Sequence, residues 1–181
     1  MGVNKEFLDF GGQTLLARAL STLSAVCKTV TIVGDPAALS SFGPVVPDLF
    51  PGCGPLGGIH AALSNSSAEL NLVLAVDMPF VSAELLNFLL RAAETNDVLV
   101  TVPRTSKGFQ PLCAVYRRDF VQIADRALRA QNYKIDATFA AVSLRIVEES
   151  ELSAAGFSEK NFFNINTPED LRNADGFNRR A

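Results

Sequence analysis

The stretch LVLAVDMP, residues 72–79, decides the predicted fold. Residues 72–76 are apolar without interruption, which is typical of a strand buried on both faces of a sheet. The run ends at Asp77, and Ser82 can cap a following helix whose leucines recur at helical spacing. A buried strand followed directly by an amphipathic helix is the repeating unit of an α/β fold.

The same alternation continues on both sides of this stretch. Further strands are predicted for residues 29–33, 44–47, 98–102, 112–116, 144–147 and 162–165. Further helices are predicted after Thr14, over residues 59–64 and 119–130, and from Pro168, which occupies a favoured first helical position. The pattern predicts a mostly parallel sheet with helices on both faces. Ligands of such sheets bind beyond the carboxyl ends of the strands.

Length and composition favour one globular domain over residues 1–181, with 48% hydrophobic residues and a net charge of −3. No basic tract is present, which argues against nucleic acid as a partner. The three cysteines show no CxxC spacing, so we expect neither a disulfide framework nor a zinc site, and we expect a reducing cytoplasm. No apolar run reaches the roughly 18–20 residues of a membrane span, so no membrane is expected as a partner.

Two features lie where the fold predicts a ligand. Asp77 directly follows a buried strand, and a carboxylate there suits Mg²⁺ bound together with a nucleotide; a turn or helix-cap aspartate is the alternative. The glycine-rich loop over residues 51–58 precedes a predicted helix, so its backbone N–H groups can approach an anion or a base edge. An ordinary structural loop is the alternative, and the loop lacks the Gly-Lys-Ser/Thr of a phosphate-binding Walker motif.

Three further polar residues are weaker candidates when taken alone. Lys5 has the position of a solvated surface lysine. Asn164 and Asn166 are two residues apart near a predicted strand end, so we expect their side chains to share one face. Amides there can bind phosphate, a metal-bound water or another polar ligand, or they can cap the next helix. The single histidine, His60, forms no recognisable nucleophile–histidine pair, and Cys53 is interpreted as a packing residue.

Together these residues resemble a known family, the molybdenum cofactor guanylyltransferases, within the nucleotidyltransferase group that includes sugar-nucleotide synthases. The resemblance spans residue 1 to about residue 175 and is carried by MGVNK at 1–5, GPLGG at 54–58, VDMP at 76–79, QPL at 110–112 and FNINTPEDL at 163–171. The Asp-x-Pro element is widespread, whereas the glycine loop combined with the asparagine motif is much more specific. The resemblance implies a Rossmann-like three-layer nucleotidyltransferase fold.

The resemblance also implies a reaction. GMP passes from GTP to the terminal phosphate of the molybdopterin cofactor, pyrophosphate leaves, and Mg²⁺ is the cofactor. The acceptor phosphate is already an anion, so no general base is required, in agreement with the lack of a candidate histidine. The implied partners are GTP and the molybdopterin cofactor, with molybdoenzyme-maturation proteins as candidate protein partners.

Residue roles follow from the same resemblance. Lys5 and Asp77 match catalytic positions, the lysine neutralising the triphosphate and the aspartate holding Mg²⁺. Asp48 matches an aspartate near the guanine or ribose, and the asparagines match amides near the metal and the acceptor. The implied substrate-binding set is Lys5, Asp48, Gly57, Asp77, Asn164 and Asn166.

In the family, a first strand and a glycine-rich loop precede the Met-Gly with which this sequence begins. We therefore expect the first strand and the loop to be missing, so that the strands at residues 29–33 and 72–76 flank an empty slot or close up imperfectly. We also expect the 181-residue chain to bind GTP weakly and to transfer guanylyl groups poorly. The alternatives are a cytidylyl- or sugar-phosphate nucleotidyltransferase of the same fold, and a noncatalytic nucleotide-binding remnant.

Overall fold

A computed structural model of the protein describes residues 5–178. The helices are α1 Leu15–Ser24, α2 Pro36–Leu39, α3 Pro55–Ser64, α4 Ala83–Glu94, α5 Phe120–Arg129, α6 Ile135–Phe139, α7 Glu149–Ala154 and α8 Pro168–Asn178, with 3₁₀ helices at Lys5–Phe7 and Glu159–Phe162. The strands are β1 Asp9–Phe10, β2 Gln13–Thr14, β3 Ile32–Val33, β4 Val45–Val46, β5 Leu70–Leu74, β6 Val100–Thr105, β7 Gly108–Phe109, β8 Cys113–Arg117 and β9 Leu144–Val147. In this part of the chain, no helix is long and apolar enough to cross a bilayer.

The main sheet has the order β5-β8-β6-β7, with β9 paired to β6. Strand β8 is antiparallel to both β5 and β6, and β9 is parallel to β6. Strands β5, β6 and β9 therefore share one direction, as an α/β sheet requires, while β8 runs against them. The cause is the short connection from Thr105 to Cys113, which has no room for the crossover of a dozen or more residues that a parallel pair needs.

Helices cover both faces of this sheet, which gives three layers. On one face, Val73 and Tyr116 pack with α3 and α5. On the other face, Leu72 and Val115 pack with α4. Because successive residues of a strand point to opposite faces, the continuous apolar runs noted in the sequence serve both layers at once. The α/β fold expected from the sequence is confirmed.

Helix α4 shows how the sequence fixes one of these layers. The Ser82 side chain accepts the backbone N–H of Leu85 at 3.3 Å, which caps the helix as predicted. Leu85, Leu86 and Leu89 are fully buried beneath it, and each contributes roughly 1.5–3 kcal/mol of hydrophobic stabilisation.

Strands β3 and β4 stand apart from the main sheet. They form a parallel pair in the register Ile32↔Val45 and Val33↔Val46. An apolar cavity of about 290 Å³ lies between β3 and β5, lined by residues of both strands and of α1 and α3.

The segment before α8 differs from the sequence prediction. Residues 162–165 were predicted to form a strand, but a 3₁₀ helix ends at Phe162 and an extended segment without strand pairing follows. Phe162 and Ile165 are buried because they pack into two apolar clusters, not because they belong to the sheet. Helix α8 begins at Pro168 as predicted.

Candidate active site

Asp77 lies just beyond the carboxyl end of β5, where the sequence predicted a ligand. Strand β5 ends at Leu74, and the carbonyl oxygen of Asp77 accepts the backbone N–H of Ile165 at 2.8 Å. This hydrogen bond holds the asparagine-containing segment against the end of β5. Phe10 and Ile165 are buried together in one small apolar cluster, and this packing also holds the segment against the end of β5.

Lys5 reaches this junction from the first described turn of the chain. Its Nζ donates a hydrogen bond to Oδ1 of Asn166 at 2.7 Å. The ammonium also lies close enough to the Asp77 carboxylate to lower its pKa, although this is not the dominant influence on that group. Lys5, Asp77 and Asn166, which are distant in sequence, therefore meet at one edge of the sheet.

The Asp77 carboxylate is held in a state that favours a cation partner. Burial raises the pKa of Asp77 above its ordinary value, and the Lys5 ammonium opposes this rise. A partly desolvated anion gains more from a bound cation than a solvated one does, because water screens it less. Within residues 5–178 no group of three or more His, Cys, Asp or Glu residues could hold a metal ion. A single carboxylate still fits Mg²⁺, which takes one or two carboxylates and completes its shell with phosphate oxygens and water.

Asn164 differs from Asn166 in its contacts. Both side chains are exposed, and they lie on either side of the buried Ile165. Among the hydrogen bonds of residues 5–178, the Lys5 ammonium donates to Asn166 and not to Asn164. The side chain of Asn164 is thus left available at the same edge of the sheet.

Asp48 and Gly57 form a second group beside the glycine-rich loop. Asp48 Oδ1 accepts the Phe50 backbone N–H at 2.8 Å. A Cβ atom on Gly57 would lie 3.0 Å from both Asp48 carboxylate oxygens, so the glycine lets the carboxylate pack directly against α3. Gly54 precedes α3 with φ of +70°, a conformation that favours glycine. In residues 5–178 no direct hydrogen bond joins this group to the Lys5 group.

His60 and Cys53 occupy structural positions. His60 is buried in α3, with Nε2 3.6 Å from Asp125 Oδ1 and its ring edge-to-face with Phe50 at 5.0 Å. Cys53 packs against the core cluster beneath α3 and α5, which confirms its interpretation as a packing residue. These contacts assign His60 to the α3–α5 interface.

Residues 1–142 match the sequence profile of the MobA-like NTP transferase domain. The match spans more than half of the chain. The chain belongs to this family. As a MobA-like NTP transferase, the protein is a nucleotidyltransferase enzyme.

Named relatives of this MobA-like NTP transferase are similar over nearly its whole length. A probable molybdenum cofactor guanylyltransferase of Pelotomaculum thermopropionicum is 38% identical over 94% of this chain and 83% of the relative. The molybdenum cofactor guanylyltransferase of Desulfosudis oleivorans is 32% identical over 96% of this chain and 87% of the relative. The crystal structure of molybdopterin-guanine dinucleotide biosynthesis protein A from Archaeoglobus fulgidus superposes with a TM-score of 0.87 at 26% identity, covering 99% of this chain and 93% of that one.

One residue of this MobA-like NTP transferase was missed by the sequence reasoning. Asp170 Oδ2 accepts the backbone N–H groups of Asn166 at 3.0 Å and of Thr167 at 2.8 Å, and the Asp170 N–H donates to Thr167 Oγ1 at 3.1 Å. The bond from Asn166 is the main reason that the pKa of Asp170 lies below its ordinary value. The signal was present in the sequence, because Thr followed by an acid three residues later is a helix capping box. Asp170 therefore fixes the backbone from which Asn166 meets Lys5.

Proposed function

We propose that this chain transfers GMP from GTP to the terminal phosphate of the molybdopterin cofactor and releases pyrophosphate. The observation that carries the proposal is the meeting of Lys5 and Asp77 beyond the carboxyl end of β5. The names of two relatives, both molybdenum cofactor guanylyltransferases, support the choice of a guanylyl donor and a molybdenum cofactor acceptor. We further propose that residues 1–181 act as a single nucleotidyltransferase domain in the cytoplasm. The three cysteines are free, which is usual for proteins of that reducing compartment.

The proposed chemistry is an in-line displacement at phosphorus. An oxygen of the acceptor phosphate forms a bond to the α-phosphorus of GTP, and the bond from that phosphorus to the bridging oxygen of the β-phosphate breaks. Pyrophosphate leaves with the electron pair. Since the acceptor oxygen is already anionic, no side chain has to remove a proton from it. Catalysis then depends on positioning and on offsetting negative charge.

Lys5 and Asp77 have different electrostatic roles in this proposal. The Lys5 ammonium, oriented by Asn166, lies against the triphosphate and offsets charge on the leaving pyrophosphate. Asp77 would hold Mg²⁺, which when bound supplies Lewis-acid stabilisation of the phosphate oxygens. The raised pKa of Asp77 fits this role, because its charge is incompletely compensated within the described residues. Asn164 is proposed to contact the acceptor side.

Asp48 and Gly57 are proposed to hold the nucleoside. Asp48 keeps one oxygen on the Phe50 N–H, and its carboxylate can accept from the donor groups of guanine or from the ribose hydroxyls. The bare Cα of Gly57 allows the nucleotide and the Asp48 carboxylate to approach the start of α3 closely.

Side-by-side titrations with GTP and CTP in Mg²⁺ test the proposed substrate. We expect the Kd for GTP to be at least about tenfold below that for CTP, since one base-specific hydrogen-bonding set contributes on the order of 1–3 kcal/mol. Transfer of α-labelled GMP onto molybdopterin is the second measurement. Preference for CTP would replace the guanylyl assignment with a cytidylyl one. GTP binding without transfer would favour the noncatalytic alternative.

The two asparagines give a prediction that separates their roles. Asn166→Ala should lower transfer about tenfold, because the loss of one hydrogen bond to a charged group is worth about 1.5 kcal/mol or more. Asn164→Ala should lower transfer less and affect the KM for the acceptor more than the KM for GTP. Both side chains are exposed, so the melting temperature should stay unchanged. Steady-state kinetics measure these effects, with the exposed Asn132→Ala as control. Normal kinetics in an Asn164/Asn166 double variant would contradict the assignment.

A further inference from the structure

Asp77 stands in a loop, residues 75–81, whose own hydrogen bonds are long. Met78 donates its backbone N–H to the Ala75 carbonyl at 3.4 Å, and Val81 donates to the Met78 carbonyl at 3.3 Å. Both distances exceed the usual range for N–H···O hydrogen bonds, about 2.7–3.2 Å. The placement of the Asp77 carboxylate therefore depends on contacts that reach the loop from other parts of the chain.

Two shorter hydrogen bonds join this loop to the segment that carries the asparagines. The Ile165 N–H donates to the Asp77 carbonyl at 2.8 Å. Three residues further along the loop, Asn161 Nδ2 donates to the Phe80 carbonyl at 3.0 Å. The loop and the segment thus run in opposite directions and are joined at two points. One contact alone would let the segment pivot, whereas two contacts fix its orientation. We call the contact between Asn161 and Phe80 the Asn161 bridge.

The side chain of Asn161 has a second, purely local contact. Its Oδ1 accepts the Ser158 backbone N–H at 2.9 Å, and the Ser158 side chain accepts the backbone N–H of Asn161. Together these two bonds form a capping box at the start of the 3₁₀ helix Glu159–Phe162. A capping role needs only the oxygen of the carboxamide. The Asn161 bridge uses the nitrogen, so it is additional to capping and is the contact that reaches the Asp77 loop.

Asn164 depends on this arrangement more than Asn166 does. The Asn164 side chain is exposed, and within the described chain no hydrogen bond holds it. The backbone of Asn166 has its own support, because Asp170 Oδ2 accepts its N–H at 3.0 Å. Asn164 takes its position from the backbone on either side, which is held at Asn161 and at Ile165.

We propose that Asn161 is a positioning residue for the transfer reaction and that it acts through Asn164, an inference that rests on the proposed function. The Asn161 bridge sets the distance between the Asp77 carboxylate and the amide that contacts the acceptor. In-line attack needs the acceptor oxygen aligned with the α-phosphorus, so a small displacement of the acceptor lowers the rate. The triphosphate side, where Lys5 meets Asn166, does not depend on the bridge.

Asn161→Asp separates the bridge from the cap. Aspartate keeps an oxygen for the Ser158 N–H but has no N–H to donate to the Phe80 carbonyl. We expect the KM for the molybdopterin acceptor to rise about tenfold and kcat to fall, with the KM for GTP changed by less than about twofold. Asn161→Ala adds no charge and also lacks the donor, so it should raise the acceptor KM to the same extent.

Ser158→Ala is the matched control for these variants. It removes the serine hydroxyl from the capping box and leaves the Asn161 bridge in place. Ser158 is exposed, so the substitution opens no cavity in the core. Both KM values and kcat should stay at those of the parent chain. The control and Asn161→Asp should each lower the melting temperature by no more than about 4 °C, since each loses one hydrogen bond.

A double-mutant cycle tests whether Asn161 acts through Asn164. In the Asn164→Ala background, Asn161→Asp should change the acceptor KM by less than about twofold, because the amide that it positions is absent. In the Asn166→Ala background, the same substitution should keep its effect of about tenfold. A general loosening of the segment would instead give the same effect in both backgrounds.

Amide hydrogen exchange measures the bridge without turnover. The Ile165 N–H should exchange at least about tenfold faster in Asn161→Asp than in the parent chain, because the segment loses one of its two attachments to the loop. Ser158→Ala should leave this rate unchanged. Absence of transfer by the parent chain would contradict the proposed function, whereas the exchange rate of Ile165 still decides whether the bridge holds the segment.

Three outcomes would overturn the inference. The first is a parent-like acceptor KM in Asn161→Asp. The second is an undiminished effect of Asn161→Asp in the Asn164→Ala background, which would mean that Asn161 acts by another route. The third is an unchanged exchange rate of the Ile165 N–H in Asn161→Asp, which would show that the bridge does not hold the segment against the Asp77 loop.

Discussion

Replacing Asp77 with asparagine is expected to lower GMP transfer by about 10²-fold or more, the usual loss when one preorganised electrostatic group is removed. The substitution keeps the shape of the side chain and removes its charge. Mg²⁺ would then lose the carboxylate that is proposed to hold it. The Mg²⁺ dependence of GTP binding should weaken in parallel, which gives a measurement that does not require turnover.

The same substitution should not destabilise the protein. Burial raises the pKa of Asp77 in the folded state, so the folded protein disfavours the charged carboxylate. A raised carboxyl pKa contributes stability that is present below the unfolded value near 3.8 and is lost as pH rises through the folded value. At pH 7, Asp77→Asn should therefore melt at the same temperature as the parent chain or higher. The difference should shrink as the pH falls below 4.

Parallel melting curves and transfer assays at pH 7 check this pair of expectations, with the exposed Asp136→Asn as control. Lost activity combined with lost stability would assign Asp77 a structural role. Wild-type turnover in the variant would exclude Asp77 as the metal ligand.

Much of the sheet could be predicted because its signals are local. The apolar runs behind β5 and β8 are short and end at the polar residues Asp77 and Arg117, so each could be recognised alone. The position of Asp77 followed from one of them. The antiparallel direction of β8 was not predicted, although the connection after Thr105 is too short for a crossover. That signal lies in the length of a loop and not in the pattern of a strand.

The segment 162–165 shows why other features were predicted wrongly. Apolar residues in a short run indicate burial, but burial by packing and burial by strand pairing leave the same pattern. Phe162 and Ile165 are buried by packing. The meeting of Lys5 with Asn166 is likewise not local, since 161 residues separate them and no periodicity joins them. The resemblance to the family, carried by motifs at both ends of the chain, was the signal that placed these residues in one site.

Lys5→Met should reduce transfer by about 10²-fold, and it should also change the pH dependence of what remains. Methionine keeps the unbranched side chain but removes the ammonium, so charge on the triphosphate is no longer offset. The Lys5 ammonium also lowers the pKa of Asp77. Without it, Asp77 should stay protonated to a higher pH, and protonated Asp77 cannot hold Mg²⁺.

The acid limb of the pH–rate profile should therefore move to higher pH in Lys5→Met than in the parent chain. A merely structural role for Lys5 would lower the rate without moving this limb. Lys28→Met, another exposed lysine on the same chain, is the control and should leave both the rate and the profile unchanged. Arginine at position 5 keeps the positive charge, so Lys5→Arg should restore the parent acid limb even where its rate stays low. An unshifted profile in Lys5→Met would show that Lys5 and Asp77 do not act on one another during transfer.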